Sequence, residues 1–206
     1  MKFIRVIYKI IKVAALKIDY IISWVITFNK FVLNGVEFQA NFISRGVPVI
    51  NVNLKGKFTI GKNFLFYSGK YHNMIGRQQP CFFIVGSDAE LIIGDNVGIS
   101  CTALICYNKI VIGNDVKIGG NVSIYDTDFH SLNSGERNAI PEVRTNIETK
   151  PVYINDGVFI GANTTILKGV TIGCNSIVGA CSVVTKNVPP SEIWAGNPAK
   201  FIKTCT

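Results

Sequence analysis

From Val152 the chain reads VYINDG VFIGAN TTILKG VTIGCN SIVGAC SVVT, and an aliphatic residue returns at every sixth position: Ile154, Ile160, Ile166, Ile172, Val178 and Val184. The same step links Ile112, Ile118 and Ile124, and Ile93, Ile99 and Ile105. Six residues of α-helix overshoot a full turn by about 240°, so no helix gathers these positions on one face. A short strand closed by a tight turn does. Residues two apart, such as Val158 and Ile160, keep strand alternation, while Gly, Asn and Asp supply the turn conformations. Stacked units of this kind bury their aliphatic ladder as one continuous core. A β-sandwich, with strands about 8 to 12 residues apart and no fixed period, does not fit. The pattern predicts an all-β solenoid, a parallel β-helix, over residues 36–188, with repeats loose before Val85 and strict after Val152. The register breaks between Ile105 and Ile112 and, more widely, between Ile124 and Ile154.

The first thirty residues follow a different period. MKFIRVIYKIIKVAALKIDYIISWVITFNK contains no Gly or Pro and predicts an amphipathic α-helix within residues 1–35. At 100° per residue Lys2, Arg5, Lys9, Lys12, Asp19, Ser23, Thr27 and Lys30 form one narrow polar stripe on a cylinder that is otherwise apolar. The longest charge-free run is the ten residues Tyr20 to Asn29, too short to span a bilayer. Two readings follow. The helix lies in a membrane interface, with Trp24, Tyr8 and Phe28 in the acyl boundary and the cations near anionic headgroups. Alternatively, its wide apolar face packs on the rest of the protein or on a partner subunit.

The wide break, at about residues 126–150, begins as a strand and becomes polar, with Gly135 and Pro141 removing any period. A solenoid coil can expel such a loop without disturbing its neighbours, and expelled loops often build binding sites. It opens on YDTDFHSL and carries His130, one of two histidines in the chain. The structural alternative is a turn histidine hydrogen-bonded by Asp128. The other histidine, His72 in KYHNMIGRQQP, precedes a poorly periodic coil with no carboxylate nearby in sequence, and reads as a surface or capping residue.

Length, charge and cysteines narrow the field. A chain of 206 residues, 48% hydrophobic, buries a sizeable core. Residues 1–30 hold Lys2, Arg5, Lys9, Lys12, Lys17 and Lys30 against Asp19 alone, five of the eight net positive charges. The basic excess is therefore a property of one segment, and with no zinc-finger spacing the chain does not read as a nucleic-acid binder. Six cysteines without a C-x-x-C pair or a cleavable signal pattern read as small buried thiols of a reducing, cytoplasmic compartment, with peripheral contact at the inner face of the membrane through residues 1–30 as the alternative. No metal site is expected.

The repeats resemble those of the hexapeptide-repeat acyltransferases, whose coils form a left-handed parallel β-helix; the hand comes from that resemblance, since parallel crossovers otherwise favour the right hand. The tail VVTKNVPPSEIWAGNPAKFIK (residues 183–203), with VFIGANTTILKGVTIG before it and I-x-D-T-D-F-H further upstream, resembles the sugar and polysaccharide O-acetyltransferase branch. The resemblance implies a homotrimer that binds acetyl-CoA in clefts between adjacent β-helices, closed by the tail 189–206, and acts on a cell-envelope glycan or its precursor. It places His130 on the family's catalytic histidine. A neutral imidazole, ordinarily titrating near about 6.5, can take a proton from an attacking sugar hydroxyl and return it to the departing thiolate. By position it assigns the oxyanion donor to the Ala162 N–H and sets Gly119 and Ala162 on the pantetheine arm. Ala180, Thr185 and Lys186 fall near the adenine, Lys200 and Lys203 near the phosphates, and Phe159 where relatives have Trp beside the thiol.

Galactoside-type members carry an Asp and an Asn before the histidine to bind the sugar. Here ISCTALICYN offers Ser100 and Asn108 and no Asp. Asp126 and Asp128 are therefore candidates either for the acceptor or for orienting the imidazole, and Arg137 and Arg144 for an acidic sugar or a phosphate. The competing functions are an N-acyltransferase on an amino sugar, which needs the same base, and a non-catalytic trimeric scaffold. The zinc carbonic anhydrase on this fold needs three histidines. Acyltransferases of the lipid A type lack this kind of tail.

Overall fold

Corners decide this fold. At one corner of successive coils Asn63, Asn96, Asp115, Gly157 and Asn175 adopt a left-handed backbone, and at the next Cys101, Asn121, Asn163 and Cys181 do so. Asn and Asp tolerate that conformation better than other side chains, and stacked at a corner they also bond one another. Asn63 Nδ2 donates to Asn96 Oδ1 at 2.9 Å, Asn96 Nδ2 to Asp115 Oδ1 at 2.9 Å, and Asn121 Nδ2 to Asn163 Oδ1 at 3.0 Å. The computed structural model describes residues 1–73, 75, 76 and 79–205. Among them, strands form three sheets of six, eight and six strands, parallel except for the final hairpin Glu192–Gly196 and Ala199–Thr204. The result is a left-handed parallel β-helix preceded by a helix, α1 (Lys2–Leu33).

The aliphatic ladder is the core. Ile93, Ile112, Ile154 and Ile172 are partners down the first sheet, and Ile99, Ile118, Ile160 and Val178 down the second. Leu104, Ile124, Ile166 and Val184 complete the third, all buried. The expected rung Ile105 is thus corrected to Leu104. Ile105 is half-buried and pairs outward with Tyr125, because the coil turns at Cys101 after fewer residues and then spends extra ones at Cys106, Tyr107 and Asn108. Before Val85 most rungs are aromatic, although Ile60 still partners Ile93. Phe58, Phe66 and Phe83 stand inside the coils, Phe31 and Phe64 pack on them, and Phe38 and Phe42 pack on Phe31, with ring centroids 5.1–6.3 Å apart. Aromatic rungs and an excursion between strands Leu65–Tyr67 and Phe82–Val85 explain why the early rhythm is loose.

Helix α1 docks by its polar stripe. Thr27 Oγ1 lies 2.9 Å from Ser44 Oγ, Lys30 Nζ donates to the Pro48 carbonyl at 2.9 Å, and Ser23 and Thr27 are buried. Phe31 follows them into the core, and Trp24 stacks on Phe28 and Phe42. The wide apolar face is therefore divided: Trp24, Phe28 and Phe31 pack on the chain itself, which overturns insertion of Trp24 and Phe28 into lipid, while Ile4, Ile11, Ile18 and Ile22 stay exposed. His72 is corrected as well. Its side chain is only 11% exposed, and its Nε2 sits 3.3 Å from the Asp19 carboxylate on α1. The carboxylate is 53 residues away in sequence, so only the fold brings it close. Of the cysteines, Cys81, Cys101 and Cys106 are buried, and burial pushes the Cys81 thiol up to about 12. Cys174 and Cys181 are exposed, contrary to expectation, because Cys181 occupies a corner and Cys174 the turn after Ile172.

Candidate active site

The inserted loop leaves and rejoins the coil as a closed stem. Ile112 and Ile154 are register partners 42 residues apart where a regular coil takes 18, as from Ile154 to Ile172. Thr127 and Thr149 form an antiparallel bridge, the Asp128 N–H donates to the Glu148 carbonyl at 3.1 Å, and the Lys150 N–H donates to the Asp126 carbonyl at 2.9 Å. Within the loop, Asn133 caps the short helix α2 (Ser134–Arg137), and Glu136 accepts from Ser131 and from Asn146 at 2.6 Å. Arg137 donates to the Ser131 carbonyl at 2.8 Å within the loop and does not line the groove beside His130.

His130 stands at the top of that stem. Phe129 before it adopts φ 64°, a conformation costly for a bulky residue, of order 1–3 kcal/mol, and typical of functional sites. The turn seats the Phe129 ring 5.2 Å from Tyr125 and 6.5 Å from Tyr107. His130 Nδ1 lies 2.9 Å from Glu142 Oε1, and Arg144 Nε lies 3.6 Å from Glu142 Oε2. The hydrogen bond to His130, with the charges of His130 and Arg144 behind it, holds the Glu142 carboxyl below the usual carboxylate range. A carboxylate only accepts, so in the neutral imidazole it fixes the proton on Nδ1 and leaves the Nε2 lone pair free, the form a general base requires. Glu142 was not among the residues expected from the sequence. It lies twelve residues past His130 in an aperiodic loop, and its only signal was being a carboxylate in the same insertion. Beside the pair opens a groove of about 340 Å³ lined by Tyr107, Thr127, Phe129, His130, Arg144 and Ile147 among others.

The structure separates the remaining candidates. Asp126 is fully buried, its two carboxylate oxygens accepting the Tyr107 and Asn108 N–H groups at 2.7 Å each. It neither faces an acceptor nor orients His130; it pins the excursion after Cys106. Asn108 is likewise structural, its side-chain amide donating to Thr149 Oγ1 at 3.2 Å. Asp128 is held at 3.1 Å by Lys168, which also meets Glu148 at 2.9 Å, so it braces the stem; its Oδ2 is buried without a hydrogen-bond partner among the described residues. Asp126→Asn should lower unfolding free energy by about 1–3 kcal/mol, because one buried N–H then faces a donor. Urea denaturation checks this. Unchanged stability with a weakened acceptor KM would return Asp126 to the binding site.

Ser100 belongs with the cofactor candidates. It lines a groove of about 220 Å³ on the eight-stranded sheet with Lys117, Gly119 and Phe159. A Cβ at Gly119 would stand 2.6 Å from the Ala162 nitrogen, so only glycine leaves that amide clear. Among the described residues the Ala162 N–H forms no backbone hydrogen bond. Ala180 occupies the same corner one coil on, Thr185 and Lys186 follow the last rung, and Lys200 and Lys203 are exposed on the terminal hairpin. The groove at Gly119 lies on the eight-stranded sheet, whereas the one at His130 is lined by the turn at Tyr107 and the inserted loop, and the two share no residue.

Residues 151–186 match the family model described as bacterial transferase hexapeptide (six repeats). The galactoside O-acetyltransferase of Escherichia coli K12 is 34% identical over 128 residues, 61% of this chain and 59% of that enzyme. A Schizosaccharomyces pombe relative is spanned over 42% of its length. WbbJ of Escherichia coli K12, provisionally assigned as a lipopolysaccharide biosynthesis O-acetyl transferase, is 32% identical over 72% of both chains. Among solved structures, a hexapeptide-repeat acetyltransferase of Vibrio cholerae complexed with acetyl coenzyme A aligns at 26% identity and a TM-score of 0.53, over 85% of this chain and 74% of that one. With its ladder of hexapeptide rungs and a match to WbbJ across most of both chains, this chain belongs to the hexapeptide-repeat family of bacterial acyltransferases.

Proposed function

We propose that the protein transfers an acetyl group from acetyl-CoA to a sugar hydroxyl of a cell-envelope polysaccharide or its precursor, with His130 as general base. The observation that carries this is the His130–Glu142 pair, 2.9 Å apart, opening onto a groove walled by Tyr107 and Phe129. Aromatic faces suit the apolar side of a sugar ring, and Arg144, mostly exposed at the groove, can meet a carboxylate or phosphate on it.

Acetyl-CoA, when bound, supplies an activated thioester. The chain's residues fit it: the cleft at Gly119 keeps the Ala162 N–H open as an oxyanion donor, Phe159 gives an exposed aromatic wall, and Lys200 and Lys203 offer cations to phosphates. His130 Nε2 takes the proton of the acceptor hydroxyl as its oxygen forms the new ester bond, and returns that proton to the sulfur released when the thioester bond breaks. Because the His130 groove sits on the inserted loop and the cofactor groove on the eight-stranded sheet, with no residue in common, the base of one copy and the cofactor cleft of the next would complete each site, as a homotrimer provides.

The test is thiol release from acetyl-CoA across sugars, amino sugars, nucleotide sugars and lipid-linked oligosaccharides. Release stimulated only by amino sugars would turn the reading to N-acylation. Stimulation by none, above the level of a His130→Ala variant, would leave a scaffold. Glu142→Gln should lower kcat by about ten- to hundredfold with the acetyl-CoA KM and the melting temperature unchanged, because it misplaces the Nδ1 proton without touching the core. An unchanged kcat would remove Glu142 from the mechanism.

A further inference from the structure

Helix α1 turns the wrong side to its own protein for an ordinary core helix. A surface helix of a soluble protein buries its apolar face and shows its polar one. Here Ser23, Thr27 and Lys30 of the polar stripe meet the β-helix together with Trp24, Phe28 and Phe31 beside them, and the opposite side has no partner among the described residues. Ile4, Ile7, Ile11, Ile18, Ile22 and Val25 share that opposite side by helical spacing, and all are exposed. From Met1 to Ile18 every residue but Leu16 is exposed, so the first half of the helix stands clear of the body.

Charge identifies what covers this ridge. Lys2, Arg5, Lys9, Lys12 and Lys17 form no ion pair among the described residues, and the first eighteen residues contain no acid. Asp19, the single acid of the helix, is taken by His72. Pairing two such helices would bring five cations against five, whereas anionic headgroups complement them. The helix is not long and apolar enough to cross a membrane. We infer that α1 lies in the surface of a membrane containing anionic lipids. Its isoleucine ridge enters the acyl boundary, and its polar side carries the β-helix in the water above. Docking by the polar stripe is what this arrangement needs, since it leaves the ridge free while fixing the body to the helix.

The test uses the full chain and vesicles of phosphatidylcholine alone or with about a third phosphatidylglycerol. Wild-type protein should sediment with the anionic vesicles at least about tenfold more than with the neutral ones, and less as salt rises. Ile11→Glu with Ile18→Glu, both at exposed positions, should keep the wild-type melting curve and lose at least about tenfold in sedimentation. Equal sedimentation of the double variant and wild type would overturn the inference. So would failure of wild type to sediment with anionic vesicles, or lipid-free self-association that the double variant abolishes, since the ridge would then face a second copy.

Discussion

Replacing His130 by alanine is expected to lower kcat for acetyl transfer by about 10²–10⁴-fold, the usual worth of a positioned general base. The side chain is more than half exposed and outside the core, so the melting temperature should hold. The acetyl-CoA KM should hold too, because the cleft at Gly119 and Phe159 shares no residue with the His130 groove. Steady-state kinetics on whichever acceptor stimulates thiol release most provide the measurement. A fall smaller than about tenfold would mean that another group takes the proton. A rise in KM at constant kcat would make His130 a binding residue.

The second large effect concerns the closed end of the solenoid. Phe31→Ala should destabilise the fold by about 3–5 kcal/mol, since it empties a ring-sized space between Phe38, Phe42 and Phe58 that β-strand backbone cannot collapse to fill. Ile21→Ala on the outward side of the same helix should change stability by no more than about 0.5 kcal/mol. Urea unfolding of both variants checks the pair. Equal effects would mean that α1 does not cap the aromatic end.

The sequence showed the fold wherever rungs are Ile or Val, because branched aliphatics six residues apart suit neither the face of a helix nor the strands of a sandwich. It showed it poorly where Phe58, Phe66 and Phe83 take over, since a ring fills the coil interior as well but breaks the run of Ile and Val. The inward position of Asp126 was legible as well. It stands two residues after Ile124, so strand alternation already turned it inward, toward the amides of Tyr107 and Asn108. Glu142 was not readable, because the contact from His130 to Glu142 closes inside a loop with no period to project. The polar stripe of α1 was found correctly, yet which side it served depended on Ser44, Pro48 and His72, partners that lie between 17 and 53 residues away.

The stem that closes the inserted loop has an evolutionary reading. With Asp128 bonded to Glu148 and Lys150 to Asp126 on either side of the Thr127–Thr149 bridge, the solenoid meets only two ends held at a fixed spacing, whatever lies between them. The cost of a longer closed loop rises only with the logarithm of its length. Segments of other lengths and chemistries can therefore be exchanged at this point while every rung keeps its partner. A lineage built on this coil can change the molecule it recognises by trading a cassette, without rebuilding the scaffold that carries it.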